Sequence, residues 1–397
     1  MIAITRRLIV PGAVAFLLLG LAACGTSDLP PSPSPSPTLR PEGRFAYITN
    51  ASSGDVSEYA VATDGTLTLL GFAKLPGGAV PNALAADPRG RFLFVARAGG
   101  RGGIQAYSID RTSGLLGDAP GSPFDLDHQA DFLTPEPRGR LLWATRAFND
   151  VIDVFSIDQA TGGLARAEGL AVAPLGFPKE PALRPDGRFL YVPTFGPVAV
   201  LTYATDDATG RLTATGVPVQ APDVVSSIVV DPAGAFLYLT TATPFSSDTT
   251  FIYRIDAGTG ALARVSGSAF APGFDFATAN LRPDRITFHP SGRFAYVADR
   301  PGRTGANSSG FWAFAVQSSG LLGPSAVGPF STPANPPFLI GDPLALALDP
   351  AGRFAYVTDA TSNTVAAFAI DARNGALAAL GAPVATGQAP MALVIVP

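Results

Sequence analysis

Apolar and polar positions recur along this chain in one fixed order. In one copy, slim apolar residues from Leu344 to Leu348 run into Asp349-Pro350-Ala351-Gly352, and Arg353 follows. Next comes Phe354-Ala355-Tyr356-Val357, apolar on both faces, then Thr364 to Asp371, a second turn at Asn374-Gly375, and an outer segment from Ala376 to Ala382. Asp before Pro starts a turn and the Gly two residues on supplies φ above zero, so the first turn is tight and fixes the register of two strands. Asn followed by Gly is a strong hairpin signal and joins the third strand to the fourth. A strand apolar on both faces belongs to a sheet sandwiched between two others. Each copy is therefore predicted to be four antiparallel strands, its slim-residue strand at the most crowded place.

The copy occurs seven times. Pro41, Pro88, Pro137, Pro185, Pro232, Pro290 and Pro350 each open a Pro-x-Gly turn, followed by Arg (Ala at Ala235) and Phe (Leu at Leu141). Hairpin turns equivalent to Asn374-Gly375 stand at Thr161-Gly162, Thr209-Gly210, Thr259-Gly260 and Ser319-Gly320. The proline spacings are 47, 49, 48, 47, 58 and 60 residues, too long for a hairpin and right for a four-stranded propeller blade. No slim apolar strand precedes Pro41, whereas Pro390 to Pro397 repeats the pattern of Asp342 to Pro350. The C-terminal strand is thus expected to complete blade one and close an all-β, seven-bladed ring without an open edge.

Composition changes this picture only at the N-terminus. Residues 1–23 carry Arg6 and Arg7, an apolar run, and Leu21-Ala22-Ala23 before Cys24, the one cysteine of the chain. That is the pattern of a secretory leader, too short in its apolar part for a comfortable span. It resembles a bacterial lipobox, which implies that Cys24 is lipidated and anchors the protein to a membrane of the cell envelope. Residues 24–40 include Pro30 to Pro37, alternating Pro and Ser after the first pair, a linker that extends at ~3.1 Å per residue and holds the ring roughly 30 Å away. Residues 41–397 form one propeller domain, expected to be monomeric, since repeats pack on their neighbours alone. The net charge is −4, or −6 without Arg6 and Arg7, which gives no electrostatic footprint for nucleic acid.

Candidate chemistry is sparse. Arg97, Arg146 and Arg300 follow the second strands of blades two, three and six, where three guanidinium groups would suit a carboxylate or phosphate. Arg44, Arg91, Arg140, Arg188, Arg293 and Arg353 recur inside the turn and read as structural, as does His289, which stands where other blades have Asp87, Asp231 or Asp349. His128 lies outside the repeat and is the better general base of the two histidines. Two histidines at no ligand spacing and no Asp-rich calcium loop predict no metal, and no phosphate loop or nucleophile elbow is present. No cofactor is expected. The longer blades five and six place extra loops at 274–284, 301–309 and 331–343, where specificity has room to reside.

The seven Pro-x-Gly-Arg-Phe units, with Tyr-Val at Tyr191-Val192, Tyr296-Val297 and Tyr356-Val357, make residues 42–397 resemble the seven-bladed propeller lactonases, which include the propeller-type 6-phosphogluconolactonase. That resemblance implies Gly-Pro-Arg-His before the inner strand of blade four and Asn-Glu after its second strand. Here the positions read Phe177-Pro178-Lys179-Glu180 and Thr194-Phe195, so Lys179 replaces the Arg while the His and the Glu are absent. In blade six, Ala298-Asp299-Arg300 keeps the Arg of the family's Ser-Asn-Arg.

Three readings follow. The missing acid/base pair favours a lipid-anchored propeller that binds a small anionic molecule, a glycan or a protein at the channel mouth. The resemblance implies a sugar-lactone hydrolase, with Arg300 and Lys179 polarising the carbonyl and Glu180 or His128 activating water. The ring alone would also serve as an envelope scaffold.

Overall fold

In the turn that opens a blade, one carboxylate organises the backbone. The carboxylate of Asp231 accepts the N–H groups of Ala235 and Phe236 at 2.7 Å each, and Asp87 and Asp349 do the same for Arg91 and Phe92, and for Arg353 and Phe354. Glycines such as Gly234 (φ 68°) and Gly352 (φ 69°) take the left-handed position that lets the chain reverse. The turn arginine then lies over the following phenylalanine, as Arg91 does over Phe92 at 4.8 Å. In blade five, where Ala235 stands in its place, Arg254 reaches across from the third strand to cover Phe236 at 5.0 Å.

The computed structural model describes residues 44–99, 102–126, 129–167, 172, 176–241, 249–267, 282–300, 310–330 and 345–397, with the backbone alone at 282–284, 298–300, 310–311 and 324–330. The leader, Cys24, the linker and His128 lie outside the described residues, as do most of the extra loops of blades five and six. Seven antiparallel sheets form, one per repeat. Their inner strands are Pro390–Val396 in blade one, Val80–Ala86, Phe132–Pro135, Ala182–Leu183, Val225–Val230 and Arg282–Phe288 in blades two to six, and Leu346–Leu348 in blade seven. Three more strands follow outward in each, and blade seven adds a short pairing at Val384–Ala385. Several outer strands are only three residues long, such as Leu377–Ala379.

The ring closes as the repeat pattern requires. Pro390–Val396 pairs with Phe45–Asn50, from Phe45 opposite Val396 to Thr49 opposite Ala392. Beyond the ladder, Ala51 donates to the Ala389 carbonyl at 2.9 Å and Gly387 donates to the Ser57 hydroxyl at 3.1 Å.

Blade-to-blade packing follows a rule that local pattern did not reveal. Six residues after each turn proline stands a fully buried aromatic, and in six blades its polar atom donates to the carbonyl of the hairpin glycine in the next blade. Tyr47 bonds Gly114 (2.8 Å), Trp143 bonds Gly210 (2.9 Å), Tyr191 bonds Gly260 (3.1 Å), Tyr238 bonds Gly320 (2.5 Å), Tyr296 bonds Gly375 (3.0 Å) and Tyr356 bonds Gly65 (3.0 Å). Burial pushes these phenols well above the ordinary tyrosine range, so they stay protonated and donate. The glycines are needed for proximity as well as for φ. A Cβ on Gly162 would lie 2.4 Å from Phe92 of the preceding blade. Blade two carries Phe94 at the aromatic position and has no such bond to give.

Candidate functional site

In blades two to seven the Pro-x-Gly turns join inner to second strands, so they mark one face of the disc, and the start of every inner strand lies on the other. Register places the ends of the second strands on that other face too: Arg97 is opposite Pro81, Thr145 opposite Phe132, and Arg300 opposite Arg282. Between the inner strands runs an axial cavity of about 370 Å³ to which all seven blades contribute.

Its chemistry depends on one position. Five residues before the turn proline, the blades in order carry Ala392, Ala83, Phe132, Glu180, Ser227, Arg285 and Ala345, and all seven line the cavity. Glu180 and Arg285 are the charged residues of this circle, and of the whole lining. Arg285 Nη2 stands 3.1 Å from Glu180 Oε2, with the side chains 49% and 43% exposed, so the pair spans Ser227 of blade five and remains open to the channel. Lys179 is anchored by its own N–H, which donates to the Pro193 carbonyl at 2.8 Å, and its ammonium sits 5.9 Å from the ring centre of Phe195. Asn82, at the cavity rim, donates weakly to Asp131 Oδ1 (3.4 Å), whose other carboxylate oxygen receives the Ala147 N–H at 2.7 Å.

Two of the arginines proposed for an anion, Arg97 and Arg146, lie elsewhere. Arg97 is 8% exposed and Arg146 is 6% exposed, neither lines the cavity, and each pairs within its own blade. Arg97 Nη1 is 3.4 Å from Asp125. Arg146 Nε is 2.8 Å from Asp153 Oδ2 but out of line for a hydrogen bond, so this is a charge contact; Arg166 binds the other oxygen of Asp153 at 2.6 Å. Asp153 is fully buried between the two guanidinium groups, which keeps its charge compensated. Arg300 is not at the place of the other two. Arg97 and Arg146 stand nine residues after their turn prolines and Arg300 ten after its own; the equivalent of Arg97 in blade six is Asp299, opposite Pro283.

Arg285 was missed in the sequence, although a signal was present. Aligning the repeats on the turn proline and reading one column puts a single Arg and a single Glu among small or apolar residues, whereas spacing from the second strand looks past them. His289 belongs to the turn: its Nε2 bonds the Gly352 carbonyl at 2.7 Å and its Nδ1 the Ser291 hydroxyl at 2.7 Å. Among the described residues no cluster of potential metal ligands occurs.

A family model described as lactonase, 7-bladed beta-propeller, matches residues 38–127, 125–227 and 185–395. A 6-phosphogluconolactonase of Pectobacterium carotovorum subsp. carotovorum is 30% identical over 227 residues, covering 55% of this chain and 66% of that protein. The match to the Pectobacterium atrosepticum protein of the same name covers 62% of its length, so this chain spans a little under two thirds of these relatives. A 6-phosphogluconolactonase of Yersinia pestis is 25% identical over 291 residues, covering 60% of this chain and 84% of that one. Of solved structures, a putative 6-phosphogluconolactonase from Bacteroides uniformis superposes with a TM-score of 0.69 at 18% identity, over 89% of this chain and 100% of its own. The periplasmic gluconolactonase of Pseudomonas aeruginosa does so with 0.67 at 23% identity, over 89% and 99%. At such identities these two structures attest the shared fold.

Proposed function

Since the chain belongs to the seven-bladed β-propeller lactonases, we propose that it hydrolyses a lactone at the axial channel mouth, with Glu180 and Arg285 as the reacting pair. The observation that carries this reading is the position of those two side chains, 3.1 Å apart and half-exposed on the cavity wall. Sugar lactones are the substrates named for the relatives, and they are the first compounds to test.

The chemistry balances with these groups alone. A water oxygen bonds to the lactone carbonyl carbon while its proton passes to the Glu180 carboxylate. The carbonyl oxygen, now carrying the charge, faces the Arg285 guanidinium, which is permanently protonated. Collapse breaks the ring C–O bond, and the leaving alkoxide takes the proton back from Glu180, giving the hydroxy acid. Glu180 stands at the position where the family resemblance leads one to expect His, so a carboxylate would take over the proton transfer. Lys179, beside it in sequence, is a further candidate for binding the substrate, as is Arg300 for a larger anionic ligand, whereas Arg97 and Arg146 are engaged in buried ion pairs of their own blades. The leader pattern supports action at the cell envelope through a lipid on Cys24; the mass of the N-terminal peptide reads that modification directly.

The test is turnover by the purified ring, residues 40–397, of glucono-δ-lactone, its 6-phosphate and δ-valerolactone, with spontaneous opening subtracted. Glu180→Gln and Arg285→Ala are each expected to lower kcat/KM by about a hundredfold or more, within the range for general-base and oxyanion groups. If both variants match the parent the site is wrong. Saturable binding of the open acids without turnover of any lactone would move the binding-protein reading ahead.

A further inference from the structure

Glu180 and Arg285 meet across a third side chain. The inner strand of blade five, Val225–Val230, packs against the inner strands of both blade four and blade six. At the circle position Ser227 therefore stands between the two charged residues, half-buried on the cavity wall. Serine is short, so space is left beside the pair, whereas Phe132 fills the matching place in blade three.

The sheet aims Ser227 with some care. In blades one, two, five and six the register of inner on second strand slips by one residue just before the circle position, at Met391, Asn82, Ser226 and Asp284. Such a bulge re-directs the neighbouring side chain and bends the strand locally. In blade five the second strand then fixes the result: the Thr240 hydroxyl donates to the Ser227 carbonyl at 3.1 Å, and the Ser226 hydroxyl donates to the Thr240 carbonyl at 3.1 Å. Ser226 thus has its hydroxyl tied to the sheet. The Ser227 hydroxyl makes no hydrogen bond among the described residues and belongs to the cavity wall.

The other uncharged side-chain donors of the lining are less well placed. Asn82 is directed at the Ala130 carbonyl (3.3 Å) and Asp131 (3.4 Å). Thr287 lies two residues further along the strand of Arg285, about 7 Å away. Attack on a lactone moves negative charge onto its carbonyl oxygen, and a donor already fixed beside that oxygen stabilises the charge without rearrangement. We propose that Ser227 is the second oxyanion donor, giving its hydroxyl hydrogen bond to the lactone carbonyl oxygen alongside Arg285. Ser227 keeps its proton throughout, so the proton of the attacking water still passes to Glu180 and returns to the leaving alkoxide. This rests on the lactonase reading and completes the donor set for that step.

The experiment compares Ser227→Ala and Ser227→Thr with the purified parent protein on glucono-δ-lactone, its 6-phosphate and δ-valerolactone, with kcat and KM measured separately and spontaneous opening subtracted. Alanine already holds this position in three other blades, as Ala83, Ala345 and Ala392, so the ring tolerates it. Ser227→Ala is expected to lower kcat by about a hundredfold with KM within about twofold of the parent, since the bond strengthens in the transition state. Ser227→Thr retains the hydroxyl and is expected to keep kcat within about tenfold. An unchanged kcat in Ser227→Ala would overturn the role of Ser227 and leave the lactonase reading standing. A raised KM at constant kcat would do the same by marking a ground-state contact, and so would equal losses in the Ala and Thr variants by marking a steric one. No turnover of any lactone by the parent would bring down both.

Discussion

Phe94 is the one position where the ring omits a bond that its own architecture repeats six times, so restoring it is a measurable perturbation. Phe94 is fully buried and stands six residues after Pro88, the place of Tyr47, Tyr191 and Tyr356 in their blades. The equivalent acceptor is the carbonyl of Gly162, on the hairpin of blade three. Phe94→Tyr adds one hydroxyl to an otherwise identical ring and aims it at that carbonyl. A buried hydrogen bond contributes about 1 kcal/mol net, whereas a buried hydroxyl with no partner costs about 1 to 3 kcal/mol. The two outcomes differ in sign, so urea unfolding at equilibrium discriminates them without a precise extrapolation. Phe94→Tyr is expected to raise the unfolding free energy by about 1 kcal/mol with an unchanged denaturant slope. Tyr356→Phe, which leaves Gly65 without its donor, is expected to lower it by at least as much. Were Phe94→Tyr to destabilise the protein, the inter-blade bonds would not be transferable between blades, and the reasoning from repetition would fail.

Two further outcomes follow from closure and from charge. Deleting Met391–Pro397 strips blade one of its inner strand and is expected to cost more than a large-to-small core substitution, ~5 kcal/mol at most, so that differential scanning calorimetry finds aggregated or unfolded protein; an unchanged melting curve would mean that this strand does not hold the ring shut. Asp158, Asp206 and Asp256 are held below the ordinary carboxylate range chiefly by the hydroxyls of Thr161, Thr209 and Thr259, with backbone N–H groups adding to the effect. Their contribution is therefore complete above the unfolded value of about 3.9 and is lost as pH falls through the lower folded values. Replacing all three by Asn is expected to flatten the acid limb of the stability curve below about pH 4, and superimposable acid limbs would refute that assignment.

The blades were legible in the sequence because a turn carboxylate, a proline and a glycine act over four or five residues, within reach of local pattern. Closure was legible for a related reason: Pro390 to Pro397 repeats that pattern without a second strand of its own to pair with. The inter-blade bonds were not legible, since Tyr238 and Gly320 are 82 residues apart and nothing in either neighbourhood names the other. The site was half legible. Glu180 emerged from the family motif in blade four, but its partner Arg285 lies in blade six, and contact between them depends on ring curvature. Arg97 and Arg146 looked free because their partners lie farther along the chain, Asp125 in the loop after the outer strand of blade two and Asp153 on the third strand of blade three. Arg300 was grouped with them because spacing from the Tyr-Val pair tolerates a one-residue slip that strand register does not.

The circle of equivalent positions facing the axis gives the scaffold a property that a one-off active site lacks. Since Ala392, Ala83, Phe132, Glu180, Ser227, Arg285 and Ala345 occupy matching places, a carboxylate and a guanidinium two blades apart form one of seven rotational settings of the same design. A lineage can then change its chemistry by exchanging single side chains around the circle, while the turns and inter-blade bonds that keep the ring folded go untouched. Stability resides in what the blades repeat, and reactivity in Glu180 and Arg285, where single blades depart from the repeat.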